Sequence, residues 1–160
     1  MSEETAPPHL LAFLAEHEVD HEIVAPGEPM PTVPAAAAAI GVDVAQVLKT
    51  LLFEDRNGGF VVAIACGTGR VDRARLAAAT GSAKLRVADA PDVLRVTGYP
   101  AGGVAPLALP PELPVVVDAA VMELPVAWGG AGREELLLRI SPADIVRLNN
   151  ATIAEIVAPS

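Results

Sequence analysis

Lys49 is the residue of this chain whose surroundings most clearly suggest chemistry. It is the one charged residue in the apolar run 47–53. In a strand, the period-two alternation places Lys49 on one face with Val47, Leu51 and Phe53. Burial disfavours a charged amine unless an anionic or carbonyl partner compensates. The run therefore predicts a lysine that binds a substrate carbonyl or phosphate, or a lysine whose amine reaches the sheet edge.

The segment 97–109, TGYPAGGVAPLAL, is the second candidate for chemistry. It is rich in glycine and proline and carries no charged residue. Pro100 and Pro106 restrict its backbone, whereas Gly102 and Gly103 leave the backbone bare. The N–H groups of these two glycines are therefore candidates to hold a carbonyl oxygen or an oxyanion. The alternative is a tight crossover in which the glycines are needed for positive φ angles.

Polar residues follow two further predicted strands. Arg133 ends a second glycine cluster, 129–132, which would form a wall of the same pocket while Arg133 contacts a phosphate. The alternative is a hairpin with a solvated arginine. Asp118 ends the predicted strand 115–117, where functional groups often cluster, and it is equally well placed to cap the following turn.

Composition limits the classes of function. The chain has 160 residues and a formal net charge of −9, which argues against broad binding to nucleic acid and against DNA as a partner. Any RNA must be held locally, and Arg70, Arg73 and Arg75 form a small patch that would meet RNA phosphates or simply be a solvated helix face. No apolar run is long enough to span a membrane, and the acidic N-terminus lacks signal-peptide features, so we expect a cytoplasmic protein.

Metal chemistry and a Ser-His-Asp triad are both disfavoured. All the histidines fall in the first 21 residues, and no Cys/His cluster has metal-ligand spacing. The single Cys66 lies in the apolar run 61–66 and is interpreted as a small core residue rather than a nucleophile. We therefore do not expect a zinc site.

Short helices and strands interleave irregularly along the chain. This pattern predicts one compact α+β domain over residues 1–160, with residues 1–8 flexible and a mixed sheet flanked by helices. Asp72 and Ser141 are predicted N-caps, and Ile153 and Ile156 suggest a packed last turn. Predicted helices cover 10–17, 35–40, 71–80, 90–96 and 142–148; predicted strands cover 19–24, 47–54, 60–65, 84–87, 115–117, 126–128 and 136–140.

The chain resembles the YbaK family of aminoacyl-tRNA deacylases, relatives of the editing domain inserted in bacterial prolyl-tRNA synthetases. The resemblance runs from about residue 10 to residue 156. The order and spacing of four segments carry it: 46–51 (QVLKTL), 71–77 (VDRARLA), 97–107 (TGYPAGGVAPL) and 131–144, which contains AGR and SPAD.

This resemblance implies hydrolysis of the ester that joins a wrong amino acid to the 3′ end of a tRNA, often tRNA-Pro. It implies a mixed, partly closed sheet, no metal and no cofactor. Lys49 matches the family lysine that holds the 3′-terminal adenosine and the ester, and Gly102 matches the backbone position that orients the carbonyl or the attacking water. Further substrate-contact candidates are Thr32, Tyr99, Gly103, Asp118, Gly130, Gly132 and Arg133.

Two departures from the family pattern affect specificity. The loop 25–34 has no aromatic residue where the cysteine-clearing branch places aromatics, and Gly130 stands where some relatives carry Ser and the alanine-clearing branch a His. The absence of that His argues against alanine, so the expected substrates are esters of Cys, Ser, Thr or a small non-protein amino acid. Prolyl-tRNA synthetase is a candidate partner. The alternative function is a binding module that kept the pocket, for an aminoacyl-adenosine-like ligand or a synthetase, but lost turnover.

Overall fold

The computed structural model describes residues 5–159. It contains five α-helices, eight strands and two short 3₁₀ helices within that range. The helices are α1 Pro8–Glu16, α2 Val33–Ile40, α3 Arg73–Thr80, α4 Ala90–Thr97 and α5 Pro142–Asn149. The strands are β1 Glu22–Val24, β2 Leu48–Asp55, β3 Phe60–Cys66, β4 Leu85–Val87, β5 Val115–Asp118, β6 Ala127–Gly130, β7 Leu137–Ile140 and β8 Thr152–Ala154. The 3₁₀ helices are Val44–Gln46 and Ala119–Glu123.

The helix ends follow local signals in the sequence. The Asp72 carboxylate accepts the N–H groups of Ala74 and Arg75 and begins α3, as predicted. Ser141 likewise accepts the N–H of Ala143 at the start of α5, as predicted. Left-handed glycines end α2, α3 and α4, because only glycine adopts that conformation at little cost.

Two sheets form the framework. The five-stranded sheet has the order β4-β2-β3-β5-β8, with β2, β3 and β4 antiparallel and β3, β5 and β8 parallel. The three-stranded sheet has the order β1-β7-β6 and is antiparallel. A bridge between Val47 and Trp128 links β6 to the start of β2 and so joins the two sheets. The predicted α+β fold with a mixed, partly closed sheet is confirmed.

Apolar residues pack on both faces of the larger sheet. Leu52 and Ile64 lie in the main core with Leu10 and Leu14 of α1. Phe53, on the opposite face of β2, packs in a second cluster beneath α3. A third, small cluster lies behind the start of β2 and holds Met30, Ala36, Ala37, Val47 and Leu137. Consecutive β2 residues therefore face different environments, and this alternation determines where Lys49 points.

The C-terminal segment differs from the prediction. Residues 152–154 form strand β8, which pairs in parallel with β5, rather than a packed last turn. Ile153 is 48% exposed, whereas Ile156 is fully buried. The reason is that the edge of β5 offers unpaired backbone groups, which a local sequence pattern does not reveal.

The N-terminal residues were predicted to be flexible up to residue 8. Residues 1–4 lie outside the described residues. Ala6 is buried and Pro8 is the first residue of α1, so residues 6–8 belong to the folded domain. Within residues 5–159, no helix combines the length and apolar character needed to cross a bilayer.

Candidate functional site

A cavity of about 180 Å³ lies between the start of β2, the loop before α2, the glycine loop 97–109 and the connection from β6 to β7. One wall is apolar and comes from the cluster behind β2. Polar groups of several loops meet opposite it. Its lining residues include Met30, Thr32, Val33, Lys49, Thr50, Gly102, Gly130, Glu134 and Leu137.

Lys49 lies at the edge of this cavity. Its side chain shares the α3 side of β2 with Leu51 and Phe53, and the three also line a neighbouring depression. The Lys49 ammonium donates a hydrogen bond to the carbonyl oxygen of Gly69 in the turn before α3. Partial burial lowers the pKa of Lys49; the neighbouring Cys66 opposes that shift and Arg70 adds to it. The lysine is thus a half-buried cation held by one backbone carbonyl.

The glycine loop presents a tight turn to the cavity. The N–H of Gly103 donates to the carbonyl oxygen of Pro100 at 2.9 Å and closes the turn. Gly102 has a φ of +86°, which a residue with a side chain rarely adopts. The N–H of Gly103 is therefore committed to the turn. The N–H of Gly102 has no acceptor among residues 5–159, and it remains the candidate donor to a carbonyl.

The two glycine clusters pack backbone against backbone. The N–H of Gly132 donates to the carbonyl oxygen of Gly103 at 2.8 Å. A Cβ atom on Gly130 would lie 2.4 Å from the carbonyl oxygen of Val104, and one on Gly103 would lie 3.0 Å from the nitrogen of Arg133. Side chains at these positions would push the loops apart. The glycines therefore set the distance between the two walls of the cavity.

Glu134, Met30 and Thr50 line the cavity but were not among the predicted site residues. The carbonyl oxygen of Glu134 accepts the N–H of Met30 at 3.2 Å, which joins the loop before α2 to the β6–β7 connection. Of the lining residues, Glu134 carries the one carboxylate. Its position next to Arg133 in the sequence was the available signal. An exposed Glu next to other charged residues, however, has no pattern that distinguishes it as a site residue.

A comparison with known proteins places this geometry in a family. The family model described as "Aminoacyl-tRNA editing domain" matches residues 27–148, which include every cavity residue named above. The chain belongs to this family. The resemblance predicted from the sequence is confirmed, and so is the aminoacyl-tRNA deacylase class of the enzyme.

Among curated proteins, this editing domain is 27% identical over 122 residues to EbsC of Enterococcus faecalis, named as a candidate Cys-tRNA(Pro)/Cys-tRNA(Cys) deacylase; the match covers 76% of this chain and 74% of that protein. It is 32% identical over 122 residues to a proline–tRNA ligase of Desulforamulus reducens, covering 76% of this chain but 21% of the ligase.

Two solved structures share the whole fold of the editing domain. The crystal structure of the hypothetical protein APE2540 matches with a TM-score of 0.86 and 32% identity, and covers 94% of this chain and 99% of that one. A crystal structure described as a candidate trans-editing enzyme for prolyl tRNA synthetase matches with a TM-score of 0.83 and 25% identity, and covers 97% and 100% of the two chains.

Four of the nine predicted site residues line the cavity of the editing domain: Thr32, Lys49, Gly102 and Gly130. Thr32 also caps α2, because its hydroxyl oxygen accepts the N–H of Ala35 at 3.2 Å. Its side chain thus fixes the start of the helix that supports one cavity wall.

Tyr99 lies in the core rather than at the cavity. Its side chain is fully buried, and its hydroxyl donates to the carbonyl oxygen of Leu107 at 2.8 Å. Burial raises the pKa of Tyr99 far above its usual range. The ring also packs against His9 of α1, with ring centroids 4.8 Å apart. Tyr99 therefore ties the two ends of the glycine loop together. It does not line the cavity, and its contact with substrate stays a prediction.

Asp118 has a structural role, which agrees with the alternative prediction that it caps the turn after its strand. One carboxylate oxygen accepts the N–H of Ala120, and the other accepts the N–H groups of Ile156 and Val157 at 2.9 and 3.2 Å. The side chain is buried and lies outside the cavity. Its acceptors are used to hold the C-terminal segment, which explains why a carboxylate is tolerated in the interior.

Gly103, Gly132 and Arg133 surround the site without lining the cavity. Gly132 lies against Pro7, whose Cγ would be 2.2 Å from an added Cβ. The Arg133 guanidinium is exposed and pairs with the carboxylate of Glu135. The two glycines position the loops.

The cysteine and the histidines of residues 5–159 lie outside the cavity. Cys66 borders a separate depression with Asp118 and Glu123, and burial together with these carboxylates raises the pKa of its thiol. His9 and His17 line a larger cavity of about 790 Å³ between α1 and α4. No group of His, Cys, Asp or Glu within residues 5–159 is arranged to hold a metal ion.

Proposed function

We propose that this editing domain hydrolyses the ester of tRNA-Pro misacylated with a small amino acid, with cysteine as the first substrate to test and Ser and Thr next. The observation that carries the proposal is the cavity that Lys49, at its edge, and Gly102 line together with an apolar wall. Met30, Val33 and Leu137 form that wall. Its volume of about 180 Å³ favours a small side chain. The names of EbsC and of the trans-editing enzyme support the choice of cysteine and of tRNA-Pro.

Lys49 and Gly102 have complementary roles in this proposal. The N–H of Gly102 donates to the ester carbonyl and becomes more effective as negative charge develops on that oxygen. The Lys49 ammonium binds the 3′-terminal nucleotide beside the ester, held in place by the Gly69 carbonyl. Both groups orient and polarise the substrate, which supplies much of the rate enhancement in such a site.

The nucleophile comes from the substrate or from water, because the lining residues include no Cys or His. For a cysteinyl ester, the substrate thiol can attack its own carbonyl carbon: the new C–S bond closes a four-membered thiolactone, the C–O bond to the ribose breaks, and the ribose oxygen takes the thiol proton. Water then opens the thiolactone to free cysteine. For a seryl or threonyl ester, water attacks and Glu134 is the carboxylate available to accept its proton. Glu134→Gln should therefore slow hydrolysis of the seryl ester more than that of the cysteinyl ester.

A deacylation panel tests the proposal. tRNA-Pro charged in turn with Cys, Ala, Ser, Thr or Pro is incubated with the wild type, with Lys49→Met and with Arg147→Gln. Lys49→Met keeps most of the apolar stem, and Arg147 lies on α5 in an ion pair with Asp144, away from the cavity.

We expect selective hydrolysis of one non-cognate ester, lost in Lys49→Met and retained in Arg147→Gln. Hydrolysis that survives in Lys49→Met would contradict the role of the lysine. Tight binding of an aminoacyl-adenosine analogue without turnover on any charged tRNA would favour the binding module instead. The activity is proposed to act in the cytoplasm, beside prolyl-tRNA synthetase, where the misacylated tRNA is made.

A further inference from the structure

Positive charge is unevenly distributed along this acidic chain. Residues 47–88 contain seven of the eleven basic residues and three of the twenty acidic ones, so this segment has a net charge of +4 in a chain of −9. The segment comprises β2, β3, α3 and β4. The remainder of the chain is strongly acidic and would repel a polyanion. Any contact with RNA phosphates should therefore fall on this segment.

The fold gathers these cations beside the cavity. A depression of about 190 Å³ is lined by Lys49, Arg70 and Arg73 together with apolar residues that include the half-exposed Val87. A second depression of about 220 Å³ shares Arg73 and adds Arg56, Lys84 and Arg86. Lys49 belongs to both the candidate active cavity and the first depression. We call the exposed side chains of Arg56, Arg70, Arg73, Lys84 and Arg86 the basic face; it begins at Lys49 and leads away from the cavity.

Cations of the basic face differ from the other arginines in their partners. Elsewhere in residues 5–159, every arginine pairs with a carboxylate: Arg75 with Asp72, Arg95 with Asp92, Arg133 with Glu135, Arg139 with Glu22 and Asp20, and Arg147 with Asp144. On the basic face, Arg86 pairs with Glu54. The other four cations have no carboxylate oxygen within 4.0 Å among the described residues: Arg56, Arg70, Arg73 and Lys84.

The nearby acidic side chains neutralise this face only in part: Glu54 pairs with Arg86, and Asp55 interacts with the charge of Arg56. Asp55 accepts the backbone N–H groups of Asn57 and Ala83, and these hydrogen bonds lower its pKa. Arg73 is the first residue of α3, where the helix dipole disfavours a cation, and the first turn of this helix has no acidic residue. Helix stability therefore gives no reason for an arginine at this position, whereas an external anion does.

We propose that the basic face binds the phosphodiester backbone of the tRNA acceptor end, immediately before the terminal nucleotide whose ester lies at Lys49. This inference rests on the proposed function, because the position of the ester gives the RNA its direction. Unpaired arginines match phosphate oxygens in charge and geometry, and Val87 offers an apolar contact for a ribose or base. The rest of the molecule, being acidic, directs the RNA onto this face.

The test uses the double variant Arg70→Gln/Arg73→Gln. The matched control, Arg95→Gln/Arg147→Gln, also removes two arginines, but both are paired and outside the face. Binding of uncharged tRNA-Pro transcript is measured by fluorescence anisotropy at several salt concentrations. Deacylation of the misacylated tRNA is compared with hydrolysis of the corresponding aminoacyl-adenosine, which carries no phosphate. Thermal unfolding verifies that both variants are folded.

We expect the Arg70/Arg73 variant to bind uncharged tRNA about tenfold more weakly than the control. The slope of log K against log salt should become shallower by about 0.7 for each phosphate that the variant no longer neutralises. The KM for misacylated tRNA should rise with kcat unchanged, and hydrolysis of aminoacyl-adenosine should equal that of the wild type.

Two results would overturn the inference. One is tRNA affinity and KM equal to those of the control. The other is unchanged tRNA affinity with a loss of binding to purified prolyl-tRNA synthetase, which would make the face a protein-docking surface. If no misacylated tRNA is hydrolysed by the wild type while the variant still loses tRNA affinity, the proposed function fails and the RNA-binding face stands.

Discussion

Replacing Gly130 with alanine tests whether the contact between the two glycine clusters positions Gly102. An ideal Cβ on residue 130 would lie 2.4 Å from the carbonyl oxygen of Val104 and 3.0 Å from its carbon. Ordinary contacts begin at 3.4 Å, so the loop and β6 must separate by about 1 Å. Both atoms belong to the backbone, so no side-chain rotation can relieve the clash. The strain must move the segment that carries Gly102.

We expect Gly130→Ala to lower the free energy of unfolding by about 1–3 kcal/mol, the usual cost of overpacking. A displacement of about 1 Å at a polarising group lowers the rate by about 100-fold, so kcat/KM for deacylation should fall by this factor. Urea denaturation and single-turnover deacylation measure the two effects. Gly59→Ala is the control, because an added Cβ there has no atom within 4 Å; its stability should stay within about 0.5 kcal/mol of the wild type.

An unchanged unfolding free energy in Gly130→Ala would refute the packing argument itself. A destabilised variant with wild-type kcat/KM would refute the link from this contact to Gly102. A fall in both the free energy of unfolding and kcat/KM in Gly59→Ala as well would show that the measurements respond to any added methyl group.

Three further predictions concern single side chains. Tyr99→Phe leaves the buried carbonyl of Leu107 without its donor, and we expect urea denaturation to show a loss of about 1–3 kcal/mol with KM unchanged; a raised KM would restore Tyr99 to the substrate site. In the wild type, the two carboxylate oxygens of Asp118 accept the N–H groups of Ala120, Ile156 and Val157, whereas Asp118→Asn leaves a single acceptor oxygen. Hydrogen exchange at Ile156 should therefore accelerate, and unchanged protection would contradict the anchoring role. The pKa of Lys49 is lower in the folded than in the unfolded chain, where it is 10.5. The stability of the wild type relative to Lys49→Met should therefore rise as the pH increases from the folded pKa towards 10.5, because the unfolded chain then binds more protons. Urea midpoints that diverge in the opposite direction would contradict the burial of the amine.

The elements with local signals were predictable from the sequence. Asp72 and Ser141 cap helices because their side-chain oxygens reach N–H groups two or three residues away. The β2–β3 hairpin follows from the turn at Asn57 and Gly58 between two apolar runs. Lys49 was placed on the correct face because the period of a strand is fixed by its backbone.

Long-range partners explain why Asp118 and Tyr99 lie outside the cavity. Asp118 holds the N–H of Ile156, which is 38 residues away, and a lone aspartate at a strand end contains no sign of that partner. Tyr99 reads equally well as a ligand contact or a core residue until the carbonyl of Leu107 is found beside its hydroxyl. Burial of a polar group depends on tertiary partners, so sequence patterns could not separate the two roles.

The glycines of the two clusters have two different roles, packing and ligand binding. In the sequence, Gly102, Gly103, Gly130 and Gly132 all look like bare backbone offered to a ligand. In the fold, Gly103, Gly130 and Gly132 are bare because other backbone or proline atoms lie where a Cβ would be. An added Cβ on Gly102 would meet only the Glu134 carboxylate, at 3.5 Å, and the N–H of Gly102 has no acceptor in the described chain. Three glycines therefore bring two loops together, and the N–H of the fourth, Gly102, is the donor that the proposed function assigns to the ester.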